Sequence, residues 1–218
     1  MSTTLEPSSP AADYDQLYHA WLVRQGPRAL SLDWRLSHLL WRQRVLLRRY
    51  RPERKRVLDF GCMDGVFTLK LQQLGGEAVG YDISREAIAQ AERFRGTSLL
   101  PTFTTVPPGP GQFDIVYCNE VLEHVEDDSR FVGELVRFLA PGGLVVGTTP
   151  VGRYFWDPDH KRAYDVTSLE RALSPWGAVR IRRYYRTPLR NLLPVRMQKT
   201  GAAVFIFEVR PRSLPAAR

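Results

Sequence analysis

The sequence predicts an α/β fold: a doubly wound, mostly parallel sheet with helices on both faces, an antiparallel C-terminal hairpin, and helices at the N-terminus. Three observations predict it. Short β-rich runs at residues 56–60, 78–81, 113–118 and 144–149 alternate with helical segments, and strands separated by helices of that length pair in parallel. Glycine-rich punctuation, Gly75-Gly76 and Pro141-Gly142-Gly143, stands where the chain must turn back into the sheet. Residues 179–185 and 202–209 read as strands with no evident crossover helix between them, so they join the sheet antiparallel.

In chain order, residues 1–12 are rich in Ser, Pro, Thr and Ala and read as a loose tail. Tyr14, Leu17, Tyr18, Trp21 and Leu22 recur at helical spacing, and Gly26-Pro27 ends that segment. A second helix starts near Ser31 and carries Leu32, Leu36, Leu39, Leu40, Leu46 and Leu47 to a basic end. The first strand, 56–60, leads through a glycine turn into a helix over 66–74. The second strand ends at Asp82, and Ser84 caps a helix running to about residue 94, with Glu86 in its first turn. Residues 99–106 form a weakly signalled third strand, followed by a proline-rich loop at 107–111. After the fourth strand, Asn119 opens an acidic helical stretch, 130–139 is an amphipathic helix, and 144–149 is the fifth strand.

A length of 218 residues suits one domain with a modest addition. The natural division falls at residue 50, with 1–50 as tail and helical lid and 51–218 as the main domain. Lys and Arg number 31 against 23 Asp and Glu, a net charge of +8, which favours an anionic contact. Much of the excess is local: Arg42, Arg44, Arg48, Arg49, Arg51, Arg54, Lys55 and Arg56 share a stretch whose only acid is Glu53. It reads either as a solvated face or as a docking site for RNA, a phosphorylated substrate or anionic lipid. Two cysteines, Cys62 and Cys118, are too few for a disulfide framework and lack metal-finger spacing. The N-terminus lacks the features of a signal peptide, and no apolar stretch is long enough to cross a bilayer. A cytoplasmic protein is the expectation.

In open parallel sheets, ligands bind beyond the carboxyl ends of the strands. There the first strand gives Asp59-Phe60-Gly61-Cys62-Met63-Asp64-Gly65, where Gly61 and Gly65 permit a tight turn and close approach of a ligand. Asp82 ends the second strand about twenty residues on, placed to accept hydrogen bonds from ribose hydroxyls. An adenosyl ligand follows. Met63 stands where a dinucleotide fingerprint needs its second glycine, while Asp59 and nearby carbonyls suit an ammonium group.

These segments resemble the class I methyltransferases that use S-adenosylmethionine (SAM), particularly the group containing ubiquinone-pathway and natural-product enzymes. Val57 to Gly65 matches that family's first motif, and Gly80-Tyr81-Asp82-Ile83-Ser84 its second. Phe113 to Val125 matches its fourth, and Phe138 to Leu144 the approach to strand five, so the likeness spans about residues 57 to 150 in order. The resemblance implies a Rossmann-like sheet with SAM as cofactor, making 51–218 the SAM-binding domain. It implies that Asp59 and Gly61 hold the amino-acid end within the loop formed by Phe60, Cys62 and Gly65. Asp82 then takes the ribose, Ile83 the adenine face, and Cys118 and Asn119 the methionyl side. Two departures stand out: Met63 replaces the usual middle glycine, and residues 99–106 hold no acid for the adenine amino group. Taken by themselves, Cys62 and Cys118 read as small packing residues rather than nucleophiles.

Methyl transfer asks for alignment and exclusion of water. An oxygen acceptor also needs a base, which makes His124 and His160 the catalytic candidates. Glu120, Glu123 and His124 fall at i, i+3 and i+4, one helical face. With His160 they are weak candidate ligands for a divalent metal; a metal-independent site is the expectation. The same ligand types occur in ubiquinone-pathway O-methyltransferases and in small-RNA 2′-O-methyltransferases. Tyr154, Phe155 and Trp156 wall an acceptor pocket or pack in the core; Tyr154, Trp156 and Arg162 are the substrate-binding candidates. Tyr14, Tyr18 and Trp21 are lid candidates that otherwise pack on the sheet. The leading function is methyl transfer to an O or N atom of a small molecule. Its alternatives are RNA ribose 2′-O-methylation with a divalent metal, a non-catalytic SAM-binding module and, more remotely, a nicotinamide oxidoreductase.

Overall fold

The computed structural model describes residues 10–153, 159–186 and 203–212. The elements are α1 (Pro10–Gln25), a 3-10 turn (Pro27–Leu30), α2 (Leu32–Ser37), α3 (Trp41–Arg49), β1 (Arg56–Phe60), α4 (Val66–Gln73), β2 (Glu77–Tyr81), α5 (Arg85–Arg95) and β3 (Thr102–Thr104). They continue with β4 (Phe113–Asn119), a 3-10 turn (Leu122–His124), α6 (Asp128–Arg137), β5 (Leu139–Pro150), α7 (Val166–Leu173), a 3-10 turn (Ser174–Trp176), β6 (Ala178–Tyr185) and β7 (Ala203–Arg210).

The strands order as β3-β2-β1-β4-β5-β7-β6. The first five pair in parallel, β7 runs antiparallel beside β5, and β6 is antiparallel to β7. The expected Rossmann-like sheet with an antiparallel C-terminal pair is therefore the fold.

Alternation along β1 shows why the sheet is covered twice. Val57 packs with Phe67 and Leu71 on the α4 side. Leu58 packs with Phe131, Val132 and Leu169 on the side of α6 and α7. On β7, Phe205 and Phe207 join that second layer, while Val204 and Ile206 meet Leu46 of α3. Strand order reverses direction between β1 and β4, and a crevice opens at their carboxyl ends.

Five local expectations change. Residues 10–12 belong to α1 rather than to a tail. The second helix is two: Ser37 Oγ donates to the carbonyls of Asp33 and Trp34, both at 2.8 Å, and a His38 ring nitrogen lies 2.8 Å from the Trp34 carbonyl. Such side chains compete with the backbone for its acceptors, and α3 restarts where the Leu40 N–H donates to Gln43 Oε1. Pro141-Gly142-Gly143 lies within β5, absorbed by a register shift opposite Phe113/Ile115, with Gly142 at φ 80°. The acidic stretch after β4 is a 3-10 turn entered through Glu120 at φ 55°, not an α-helix. Finally, α7 was not anticipated, although its Asp165/Ser168 capping box is visible in the sequence.

Candidate active site

A cavity of about 830 Å³ opens at the carboxyl ends of β1, β2 and β4. Its floor is Asp59, Phe60, Gly61, Cys62, Met63 and Asp64, with Asp82 and Ile83 on one side and Asn119 to Val121 on the other. Glu123, His124, Asp159 and His160 close one end, and Tyr14, Tyr18, Trp21, Trp34, Arg35 and Arg42 form the roof. Tyr14, Tyr18 and Trp21 thus face the cofactor loop instead of packing on the sheet.

The loop after β1 is held tightly. Gly61 sits at φ 75°, and a Cβ there would lie 2.5 Å from Val121 Cγ2. The Gly61 and Cys62 N–H groups both donate to the Tyr81 carbonyl, at 2.8 and 2.9 Å. Met63, standing in place of the family's glycine, keeps a left-handed backbone at φ 52°, a conformation that costs a non-glycine residue about 1 kcal/mol. Its N–H donates to Asp82 Oδ2 at 2.8 Å, which holds it there. Gly65 does not line the cavity; a Cβ on it would strike the Phe103 ring at 2.4 Å, so its role is to let α4 start against β3. Cys118 is also away from the cavity, in the core beneath. Burial pushes both thiols up, Cys62 and Cys118 alike, which suits packing and not nucleophilic attack.

Asp59 is 2% exposed, and Thr68 Oγ1 donates to its Oδ2 at 2.6 Å. Burial pushes its carboxyl up to about 7, with the Asp82 charge adding to the effect and the Thr68 hydrogen bonds opposing it. A carboxyl whose folded value lies above its unfolded one, about 3.9, lowers stability as pH rises. That cost is absent below about pH 4, grows towards pH 7 and then stays constant. The melting temperature of the ligand-free protein is expected to fall between pH 5 and pH 8, and Asp59→Asn to flatten that slope. An unchanged slope in the variant shows that another group is responsible.

Asp82 accepts from the Met63 and Ser84 N–H groups, one on each oxygen, at 2.8 and 2.9 Å. Burial raises its carboxyl while those two amides lower it. Each oxygen keeps a further lone pair for a ligand hydroxyl.

At the other end of the cavity, the ligand atoms of Glu123, His124 and His160 all lie within 4.8 Å of one another. The two imidazoles meet edge to face with ring centres 4.8 Å apart. Thr149 Oγ1 donates to Glu123 Oε2 at 3.0 Å, and the Lys161 N–H donates to the Glu123 carbonyl at 2.8 Å, fixing the His160 segment alongside. Burial, with the nearby Glu120 charge, pushes the Glu123 carboxyl well up. Glu120 turns instead to Arg42, 3.4 Å away. Arg162 is not among the cavity-lining residues: it pairs with Asp128 at 2.6 Å and donates to the Val125 and Glu126 carbonyls. That bolts the β4 loop to α6 and sets Arg162, a substrate-binding candidate by sequence, outside the cavity lining. Tyr154 and Trp156 lie outside the described residues.

Sequence reasoning missed the tie between roof and floor. Arg35 donates twice to Asp64, at 2.5 and 3.0 Å, stacks over Trp21 at 4.8 Å, and shares Asp64 with the Tyr18 hydroxyl. A second tie runs from Ser84 Oγ and the Glu86 N–H to Asp15 of α1, at 2.7 and 3.1 Å. No local pattern announces either pair, because each joins residues tens of positions apart.

Among known proteins, the methyltransferase domain family model matches residues 34–203. A ubiquinone biosynthesis O-methyltransferase of Methylococcus capsulatus is 33% identical over 102 residues, 44% of this chain and 43% of that protein. Another, from Albidiferax ferrireducens, is 28% identical over 166 residues, 68% of this chain and 61% of that protein. The chain thus spans less than two thirds of the length of these curated relatives. An S-adenosylmethionine dependent methyltransferase from Mesorhizobium loti superposes with a TM-score of 0.62 at 18% identity, covering 83% of this chain and 98% of that one. Phosphoethanolamine N-methyltransferase 2 of Haemonchus contortus, solved with S-adenosyl-L-methionine, gives 0.60 at 18% identity, covering 79% and 53%. Fold, motif order and family model agree: the chain belongs to the class I SAM-dependent methyltransferase family.

Proposed function

We propose that the chain moves the methyl group of SAM to an oxygen atom of a small-molecule acceptor. One observation carries the reading: a single cavity joins the two acids at the ends of β1 and β2 to the Glu123, His124 and His160 cluster after β4 and β5. The residues fit the cofactor. Both side-chain polar atoms of Asn119, and Glu120 Oε1, are buried without hydrogen-bond partners in the cavity wall, where unsatisfied groups are costly unless a ligand meets them. Asp59 would hold the ammonium, Arg42 would face the carboxylate, Asp82 would take the ribose hydroxyls, and Ile83 would back the adenine. Bound SAM supplies a methyl carbon activated by its sulfonium. His124 or His160 takes the proton from the acceptor hydroxyl, and the roof helices exclude water. Oxygen is favoured over nitrogen by the paired imidazoles and by the O-methyltransferase names of the matched relatives. Those names favour a small molecule over RNA as acceptor and turnover over mere binding. With two free, buried cysteines, we place the activity in the cytoplasm; among the described residues no helix is long and apolar enough to cross a membrane.

Calorimetric titration with S-adenosylhomocysteine tests the donor site. The parent is expected to bind, and Asp82→Ala to lose about 1 to 3 kcal/mol through unmatched ribose hydroxyls. A parent that does not bind removes the donor reading, and an unaffected variant removes the role of Asp82.

The same cavity supports a second reading, with a divalent cation at the acceptor end. One carboxylate and two imidazoles converge within 4.8 Å, and Glu123 Oε1 has no partner, a donor set suited to a borderline first-row metal. Such an ion would acidify an acceptor hydroxyl. Turnover abolished by a chelator and restored by manganese or zinc would establish it.

A further inference from the structure

The basic run after residue 42 is not used by the cavity beyond Arg42, and folding extends it. Leu46 is the buried residue of α3, so Arg44 and Arg48, each two positions from it, project away from the sheet, and both are exposed. Arg49 donates to the Tyr184 hydroxyl at 3.1 Å, and Tyr184 packs with Leu46, Val204 and Ile206. Tyr184 therefore stands on the α3 side of the edge strand β6. Side chains alternate along a strand, which puts Arg180 and Arg182, both exposed, on that same side. Two arginine groups about 130 positions apart thus merge into one face. The ion pairs nearby are Arg51–Glu53, Arg56–Asp114 and Arg210–Glu208; among the described residues, Arg44, Arg48, Arg180 and Arg182 enter none.

We propose that this face of α3 and β6 docks the phosphate backbone of a nucleic acid. The cations are arginines, whose planar fork pairs with phosphate. Among the described residues, the exposed large apolar side chains are Val23, Leu30, Trp34, Leu40, Leu99, Leu100, Val106, Val166 and Trp176; only Leu40, at the start of α3, borders the arginines, and one such side chain is a poor anchor for a bilayer. Arginines on an edge strand also block sheet-to-sheet pairing, which accounts for β6 but not for the aligned arginines of α3. The inference is independent of the methyl-donor reading, since none of the four arginines lines the cavity.

The test is fluorescence anisotropy with a labelled 20-nucleotide single-stranded RNA at several salt concentrations. The parent is expected to bind at low salt. Arg48→Glu with Arg182→Glu weakens binding at least tenfold and flattens the log–log salt slope by about 1.4, the share of two phosphate contacts. The neutral pair Arg44→Gln with Arg180→Gln acts in the same direction and guards against misfolding of the first. Arg137→Glu with Arg171→Glu, exposed positions on α6 and α7 across the sheet, leaves both quantities unchanged. The proposal is overturned by absence of binding at low salt, by equal losses in the α6/α7 control, or by binding of phosphatidylglycerol vesicles through this face where RNA does not bind.

Discussion

Arg35→Ala is expected to lower the free energy of unfolding by about 3 kcal/mol, the lower end for breaking a buried ion pair. The Arg35 side chain is 16% exposed and that of Asp64 2%, so removing the guanidinium strands a carboxylate that water cannot reach. Burial already raises the Asp64 carboxyl despite the guanidinium beside it; loss of Arg35 raises it further. The cation–π contact with Trp21 is lost as well. Because Asp64 follows the left-handed Met63, the loop beneath the roof loosens and affinity for S-adenosylhomocysteine falls with stability. Arg35→Met with Asp64→Ala removes both charges and is expected to recover most of the stability. Urea unfolding of the three proteins decides the matter: a single-variant loss below 1 kcal/mol shows that the pair does not anchor the roof.

The fold was legible because β1, β2, β4 and β5 each carry a short, mostly apolar β-rich run with a turn at a fixed place, a local signal. The cofactor loop was legible for the same reason: Asp59, Gly61 and Asp82 are set by strand ends. What was not legible depends on contacts remote in sequence. Met63 adopts the conformation of the glycine it replaces because Asp82, nineteen residues on, holds its N–H. Glu120, Glu123 and His124 were expected on one helical face, yet a left-handed Glu120 sends its carboxylate to Arg42, while Glu123 and His124 reach His160. The helical spacing grouped three residues, of which Glu123 and His124 converge with His160 and Glu120 does not. The engagement of Arg162 by Asp128 and two carbonyls was likewise hidden in the sequence, because Asp128 lies 34 positions away.

The account's central claim is that the cavity presents a donor methyl to an acceptor held against His124 and His160. The most direct measurement is transfer of labelled methyl from SAM to a panel of small molecules bearing hydroxyl groups, by the parent, by His124→Ala, by His160→Ala and by the double variant. The account predicts turnover by the parent and a fall in kcat of roughly 10²- to 10⁴-fold in the variant that lacks the base. Affinity for S-adenosylhomocysteine should stay within about twofold, since neither imidazole lies on the strand ends that clasp the adenosyl group. Full turnover by a variant lacking both histidines would contradict the claim.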